Sequence, residues 1–227
     1  MCVICVSKKG VRQPNYKELS NMFENNHDGC GYMYLGSDGY VHIHKGFTDF
    51  IEFYNDVRKH NFTSNDVVIY HFRISTQARR REMTHPFVLS ENLKHQELLN
   101  VKTNLGIVHN GIIRMTTDYK ENDYSDTCLF ISKYMTKIVH SPQDLLDSSV
   151  QEIIEKLIDS KMATLDNLGN VTLIGKGFLV DQKSKLIYSN DSYKERVWFY
   201  HKVDKKVSAW DEYFSKKIAQ DSLFDCE

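Results

Sequence analysis

The chain has 227 residues, with 29 basic and 30 acidic side chains and a formal net charge of −1. This length fits one domain with a substantial core, and the balanced charge argues against a general binder of nucleic acid or another polyanion. Aromatic residues form 12% of the chain and only 3 prolines occur, which favours a compact fold over disorder.

The cysteines and the apolar runs indicate the cellular setting. An odd, scattered set of 5 cysteines predicts a reducing, cytoplasmic environment. The N-terminal apolar run is too short for a secretory signal. No apolar stretch approaches the roughly 18–20 residues that span a bilayer, so we expect no membrane partner.

The first half of the chain alternates strands with helices. Leu19, Met22 and Phe23 recur at helical spacing, and Asn110-Gly111 is typical of a tight turn. A polar loop is predicted over 90–103. Strands are predicted at 2–7, in a hairpin over 31–44, at 67–73 and at 105–109, and helices at 16–25 and about 48–59.

The second half predicts two consecutive helices and then short strands. Ser125 is the predicted N-cap of a helix that continues to Ile138, and Pro142 begins another over about 142–159. The strands are expected at 171–174, 178–180, 186–188 and 197–200. We expect a single domain over 1–227, with 205–227 as a C-terminal helical extension. The element order predicts an α+β fold, in which helices lie outside two sheets.

Cys2 stands directly behind Met1, at the head of an apolar run. If Met1 is removed, Cys2 carries an α-amine with a pKa of roughly 7.7–8.0 beside a thiol with a pKa of about 8.5. A base and a nucleophile are then held together by covalent bonds, as nucleophilic catalysis requires. Alternatively, Cys2 and Cys5 could form a redox pair, or half of a zinc site that no second Cys or Cys/His pair completes.

Three polar stretches lie near the ends of apolar strands, where scaffolds place reactive groups. Taken singly, each has a structural explanation: the histidines could be satisfied core residues, Arg73 a half-buried ion-pair partner and Asn110-Gly111 a hairpin turn. Asp126 could simply favour a helix N-terminus. The stretches are His71-Phe72-Arg73-Ile74-Ser75-Thr76, His85-Pro86-Phe87 and His109-Asn110-Gly111.

Together with Cys2, these stretches resemble the class II glutamine amidotransferases, whose glutaminase domain belongs to the N-terminal-nucleophile (Ntn) hydrolases. The segment Tyr188-Ser189-Asn190-Asp191-Ser192-Tyr193 resembles the C-terminal part of the short, stand-alone members. Five blocks follow Met1-Cys2 in the family's order, up to about residue 140: Asp28-Gly29-Cys30-Gly31-Tyr32, His71-x-Arg73-x-x-Thr76, His85-Pro86-Phe87, His109-Asn110-Gly111-Ile112 and Ser125-Asp126-Thr127.

The resemblance implies a four-layer αββα sandwich of two antiparallel sheets. It implies L-glutamine as the substrate and Cys2 as the catalytic nucleophile, with the Cys2 α-amine as its base. The Asn110 side-chain amide and the Gly111 backbone N–H would stabilise the oxyanion. No cofactor and no metal are implied.

The resemblance also implies a set of substrate-binding residues. Arg73 would bind the α-carboxylate of glutamine through its fork of N–H donors, and Asp126 would bind the α-ammonium. Thr76 and His85, together with His109, are assigned to shaping the pocket rather than to proton transfer.

The sequence departs from the family pattern at Ala78, where relatives commonly have glycine, and at Arg79-Arg80-Arg81. We read the three arginines as a solvated loop and expect no nucleic-acid ligand. Ammonia could pass to a separate synthase or acceptor subunit, or the chain could act alone as a hydrolase of glutamine or another γ-glutamyl amide. The non-enzyme alternative is a catalytically silent Ntn fold that serves as a binding module.

Overall fold

The computed structural model describes residues 2–75, 80–114 and 123–195. The chain divides into the units Met1–Glu195 and Arg196–Glu227, and only the first contains described residues. The predicted strand at 197–200 and the predicted extension at 205–227 therefore lie outside the described part. The single domain stays a prediction.

The described residues form strands and helices that follow the predicted order over most of the chain. The strands are β1 (Val3–Ser7), β2 (Cys30–Leu35), β3 (Val41–Phe47), β4 (Val68–Phe72), β5 (Phe87–Val88), β6 (Asn100–Thr103), β7 (Leu105–Asn110), β8 (Lys161–Asp166), β9 (Val171–Ile174), β10 (Leu179–Val180) and β11 (Ile187–Tyr188). The helices are α1 (Tyr16–Asn25), α2 (Phe50–Arg58), α3 (Leu93–Gln96), α4 (Asp126–Phe130), α5 (Thr136–Ile138) and α6 (Ser148–Ile158). A π-helical turn, Ile131–Met135, joins α4 to α5.

Two antiparallel sheets organise the described residues, and the α+β prediction is confirmed at this level. The large sheet has the strand order β10-β11-β1-β4-β2-β3-β6, and the small sheet has the order β5-β7-β8-β9. Strand β1 lies between β4 and β11, with Cys5 opposite Tyr70 on one side and Tyr188 on the other. The N-terminal strand is therefore central to the large sheet.

Alternation along β1 sends its side chains into two hydrophobic clusters. Val3 and Cys5 pack in a cluster with Leu19 of α1 and Phe53 of α2. Ile4 and Val6 face the opposite way, into a cluster shared with the small sheet. Because successive side chains in a strand point to opposite faces, this strand is buried on both sides.

The other face of the small sheet carries a third cluster. Ile107 of β7 and Met162 of β8 pack there against Phe130 of α4 and against Ile154 and Ile158 of α6. The helices thus cover apolar faces that the sheets would otherwise expose, which is the usual reason for layered architecture.

Two predicted elements need correction. The loop expected over 90–103 contains α3, which begins behind the capping side chain of Asn92, and β6, which pairs with β3. The helix expected over 142–159 is a 3-10 helix, Pro142–Leu146, followed by α6. Extended backbone at Asp147 separates the two helices. The Asp147 side chain accepts a hydrogen bond from the Ser149 N–H and so caps α6.

Strand β8 is not predicted from the sequence, because its alanine, lysine and aspartate are poor strand formers. Its pairing with β7 and β9 determines its structure. The Asn110-Gly111 pair is consequently not a hairpin turn, since Asn110 pairs with Lys161 at the end of β7. Among the described residues, no helix is both long and apolar enough to cross a membrane.

Ile69 tests the packing between the two sheets. It is fully buried in the cluster that they share. Ile69→Ala should lower the free energy of unfolding by about 2–5 kcal/mol, because it removes buried methyl groups and leaves a cavity. Urea denaturation measures this change.

The matched control is Ile153→Ala, since Ile153 lies on α6 and is 49% exposed. That substitution should change stability by less than about 0.5 kcal/mol. Equal effects of the two substitutions would contradict the assigned packing.

Candidate active site

Cys2 lies immediately before β1. Because Val3 pairs with Phe72, the start of β1 is beside the end of β4. The Cys2 Sγ lies 3.6 Å from the carbonyl oxygen of Ile74. The Cys2 carbonyl accepts a 2.7 Å hydrogen bond from Nδ2 of Asn190. Contacts to the segments after β4 and β11 therefore hold this half-buried residue in place.

Ser189 connects the start of β1 to the end of β7. Its hydroxyl oxygen accepts from Nδ2 of Asn110 at 2.8 Å and from the Ile4 N–H at 2.9 Å. Its own N–H donates to the Ile4 carbonyl at 3.0 Å. The side chain of Asn110, in the small sheet, is thus tied to a strand of the large sheet only two residues from Cys2.

Gly111 follows Asn110 in a backbone conformation that favours glycine. Its φ is 154°, and a Cβ at this position would lie 2.4 Å from Cβ of Ser160 and 3.3 Å from Nε2 of His109. The absence of a side chain therefore allows the backbone to pass close to Ser160.

Cys2, Asn110 and Gly111 line one cavity of about 680 Å³. This volume lies in the range of ligand pockets, roughly 300–1,000 Å³. Other lining residues include Ile74, Ile112, Arg114, Ser160, Lys161, Ser189 and Asn190. The three predicted catalytic residues, distant in sequence, thus share one concave site.

Arg73 is the first residue after β4 and is only 4% exposed. Its N–H donates to the Gly29 carbonyl, and its carbonyl accepts from the Asp28 N–H, both at 2.9 Å. Burial lowers the pKa of the guanidinium, opposed by the charges of Cys2, Asp28 and Asp126. Conversely, burial raises the pKa of the Cys2 thiol, and the charge of Arg73 opposes that rise. Arg73 is electrostatically coupled to Cys2, although it is not among the cavity-lining residues.

Asp126 begins α4. Its carboxylate accepts from the N–H of Ile113 at 2.7 Å and from the N–H of Thr127 at 2.8 Å. It thereby connects the segment after β7 to the helix. Asp126 is not among the cavity-lining residues either. The Thr127 hydroxyl also lies 3.4 Å from Oδ1, whereas Oδ2 keeps a second lone pair with which the carboxylate can accept from an additional donor.

Two of the three residues assigned to pocket shape, Thr76 and His85, differ in what can be said of them. Thr76 lies outside the described residues. His85 is buried, with its ring 4.1 Å from that of His71 and 4.8 Å from that of Phe87. Burial lowers the pKa of His85 well below its ordinary value. His85 does not line the cavity in the described chain; it packs against His71 and Phe87 as a neutral ring.

His109 is neutral, with both ring nitrogens engaged. Its Nε2 lies 2.6 Å from Oγ of Ser160, which itself donates to the Ile158 carbonyl. That network assigns Nε2 as the donor, and Nδ1 then accepts from Oγ1 of Thr127 at 2.9 Å. Burial lowers the pKa of His109 to about 4. These bonds make His109 a positioning residue for the end of β7.

Lys161 is a cavity-lining residue that the sequence predictions miss. Its Nζ donates to the carbonyl of Gly177 at 2.6 Å and to that of Ser189. Burial lowers the pKa of its ammonium group. Lys161 lies opposite Asn110 because β7 pairs with β8. No local sequence pattern indicates that pairing. Asn190 and Ser189 occur in the resemblance, but only the long-range contacts reveal their roles.

The described structure brings together Cys2, Asn110 and Gly111, with Arg73 in electrostatic range. Neither a protein-family model nor a curated protein sequence matches the chain. The functional interpretation therefore depends on the residues and their geometry.

Ser189→Ala tests the bond that connects the two sheets at the site. It removes the acceptor of the buried Ile4 N–H and the Asn110 amide. Because an unsatisfied buried polar group costs about 1–3 kcal/mol, stability in urea should fall by that amount. Ser149→Ala, at an exposed position on α6, should change it by less than about 0.5 kcal/mol. An unchanged midpoint for Ser189→Ala would contradict the assigned contact.

The buried histidines predict acid sensitivity. Burial lowers the pKa of His71 to about 3 and that of His109 to about 4, whereas the unfolded values are near 6.5. Between pH 6.5 and about 4 the unfolded chain binds protons that the folded chain does not. The free energy of unfolding should therefore decrease as the pH is lowered, by up to about 1.4 kcal/mol per pH unit for each extra proton that the unfolded chain binds.

Urea unfolding measured from pH 7 to pH 4 checks this slope. In His71→Gln the glutamine amide can replace the donor to the His109 carbonyl. This variant should reduce the slope of unfolding free energy against pH by the amount expected for about one proton. A slope that this variant leaves unchanged would show that His71 does not contribute as described.

Proposed function

We propose that the chain is a class II glutamine amidotransferase in which Cys2, exposed as the first residue by removal of Met1, attacks the side-chain amide of L-glutamine. The observation that carries the proposal is the cavity shared by Cys2, Asn110 and Gly111. A nucleophile and two potential oxyanion donors at one site are the basic requirements of acyl transfer.

The raised pKa of the Cys2 thiol supports a mechanism in which a base removes the thiol proton as the sulfur attacks. Burial is its largest cause, so the thiol is mainly protonated near neutral pH. The α-amine of the same residue, with a pKa of roughly 7.7–8.0, can accept that proton directly or through water. His109 is a poorer candidate, because Thr127 and Ser160 engage both of its ring nitrogens.

Asn110 and Gly111 would stabilise the oxyanion. The bond to Ser189 fixes the Asn110 amide, and a hydroxyl can sustain it in either amide orientation because it donates as well as accepts. The amide retains N–H capacity for a ligand, and the Gly111 N–H would be the second donor. Fixed dipoles of this kind cost no reorganisation during the reaction.

The reaction then proceeds in two balanced stages. The Cys2 sulfur bonds to the amide carbon while the α-amine takes the thiol proton. That proton passes to the leaving nitrogen, ammonia departs, and a γ-glutamyl thioester remains. In the second stage water loses a proton to the α-amine and attacks the thioester, the sulfur leaves as the thiol, and glutamate is released.

Arg73 and Asp126 would recognise the amino-acid end of glutamine. A guanidinium can bind a carboxylate through two parallel hydrogen bonds, and the Asp126 carboxylate can accept from an ammonium in addition to its two backbone donors. Thr76 and His85 keep their proposed roles in pocket shape. Recognition by these residues also belongs to the proposal.

The three hydrophobic clusters support the αββα order of an Ntn-hydrolase fold. One cluster contains α1 and α2 with the large sheet, one is shared by the sheets, and one contains α4 and α6 with the small sheet. The described cysteines are free thiols, which suits a reducing cytoplasm.

The cavity volume favours one second candidate. A cavity of about 680 Å³ has room for a substituent on the amide nitrogen, so another γ-glutamyl amide is a reasonable substrate. Passing ammonia to a separate acceptor subunit is the third outcome. Assays with glutamine, with a γ-glutamyl anilide, and with glutamine plus a candidate acceptor protein distinguish the three outcomes. Faster turnover of the anilide indicates a different amide substrate, and faster turnover of glutamine with the acceptor protein indicates ammonia transfer.

Cys2→Ala should abolish release of ammonia and glutamate while the circular-dichroism spectrum is retained, because it removes the nucleophile of the proposed reaction. The matched control is Cys5→Ala, which removes a buried thiol that lies outside the cavity lining. It should keep turnover, whereas a Cys2–Cys5 redox pair would lose function. Turnover that persists in Cys2→Ala would refute the nucleophile, and an intact mass that retains Met1 would refute the amine base.

Asn110→Ala should lower kcat about 10²–10³-fold, as the loss of one oxyanion donor typically does, with a smaller change in KM. Steady-state assays of glutamate release measure both constants. An effect on KM alone would indicate that Asn110 binds the ground state and does not stabilise the transition state.

A further inference from the structure

A cluster of potential metal ligands lies on the outer face of the large sheet, away from the cavity. Along β3, Val41 and Ile43 face the small sheet, so the alternating residue His44 points to the opposite face. Asp56 lies near the end of α2, and His60 follows that helix. The potential donor atoms of His44, Asp56 and His60 all lie within 4.8 Å of one another.

The distances between these groups fit a metal site with small side-chain adjustments. Zinc binds nitrogen and oxygen at about 2.0–2.2 Å, which separates tetrahedral ligand atoms by roughly 3.3 Å. Nδ1 of His44 already lies 3.1 Å from Oδ2 of Asp56. The His44 and His60 rings are nearly perpendicular, at 83°, with centroids 5.2 Å apart. Rotation of His60 toward the pair would bring the third ligand into range.

The surroundings of the cluster resemble the support that metal ligands usually have. The buried Tyr32 hydroxyl donates to Oδ2 of Asp56 at 2.8 Å, which orients the carboxylate. The His60 ring stacks on Phe62 with an interplanar angle of 14° and a centroid separation of 5.0 Å. Lys59 donates to Oδ1 of Asp56, but its side chain is 71% exposed and can turn into solvent.

We propose that His44, Asp56 and His60 bind one divalent transition-metal ion of the zinc class, with water completing the coordination. Two imidazoles and a carboxylate suit zinc, cobalt and related ions better than magnesium or calcium, which prefer all-oxygen sites. Coordination of the ion through Nδ1 of His44 would replace the hydrogen bond that this nitrogen now donates to Oδ2 of Asp56. The site does not depend on the proposed glutaminase activity.

The full chain, stripped of metal with a chelator, tests the site by titration calorimetry with Zn²⁺ and by the visible absorption of bound Co²⁺. We expect saturable binding of a single ion per chain. His60→Ala and Asp56→Asn should each weaken binding by more than about tenfold, and Tyr32→Phe by about 10–100-fold through its outer-shell contact. Thermal unfolding of each metal-free variant verifies that it is folded.

Two matched controls exclude other ligands. His140→Ala removes an exposed imidazole elsewhere, and Cys2→Ala removes the half-buried thiol. Both should bind the ion as the unmodified chain does. The proposal is overturned if no saturable binding occurs, if binding survives in folded His60→Ala, or if binding disappears in Cys2→Ala.

Discussion

The bond network of Ser189 is the constraint on which the candidate site depends. One hydroxyl oxygen serves the Ile4 N–H of the large sheet and the Asn110 amide of the small sheet. Because both donors are buried or nearly so, loss of either bond carries a desolvation cost as well as the loss of the contact. The network therefore fixes the separation between the segment that begins at Cys2 and the end of β7.

Histidines surround this junction without being suited to proton transfer. His71 donates to the His109 carbonyl, and His109 contacts Thr127 and Ser160. His85 packs against the ring of His71. Burial keeps all three neutral, so they organise the ends of β4 and β7. The proton chemistry proposed for Cys2 is accordingly assigned to its own amine, acting directly or through water.

Local patterns predict the elements whose apolar periodicity and caps are clear. The bounds of α1 agree with the predicted helix at 16–25, because Asn15 and Glu18 form a capping box and the apolar residues recur at helical spacing.

Strand β8 lacks such a pattern, and its structure depends on two neighbouring strands. The same dependence hides Lys161 and the role of Ser189, whose contacts join residues far apart in the chain. Likewise, His44, Asp56 and His60 are not at any familiar ligand spacing, and β3 and α2 bring them together. The sequence singles out Cys2 by its thiol and its position behind Met1, whereas Asn110 and Gly111 enter the predicted site only through the resemblance. The three residues line one cavity, and their catalytic roles stay a prediction.

Covalent labelling with a chloroketone analogue of glutamine tests the central claim most directly. The account predicts a single adduct, located by peptide mapping on the thiol of Cys2 at the N-terminus of a chain without Met1, and protection by excess glutamine. An adduct on any of the other four cysteines, Cys5, Cys30, Cys128 or Cys226, or labelling that glutamine does not prevent, would contradict it.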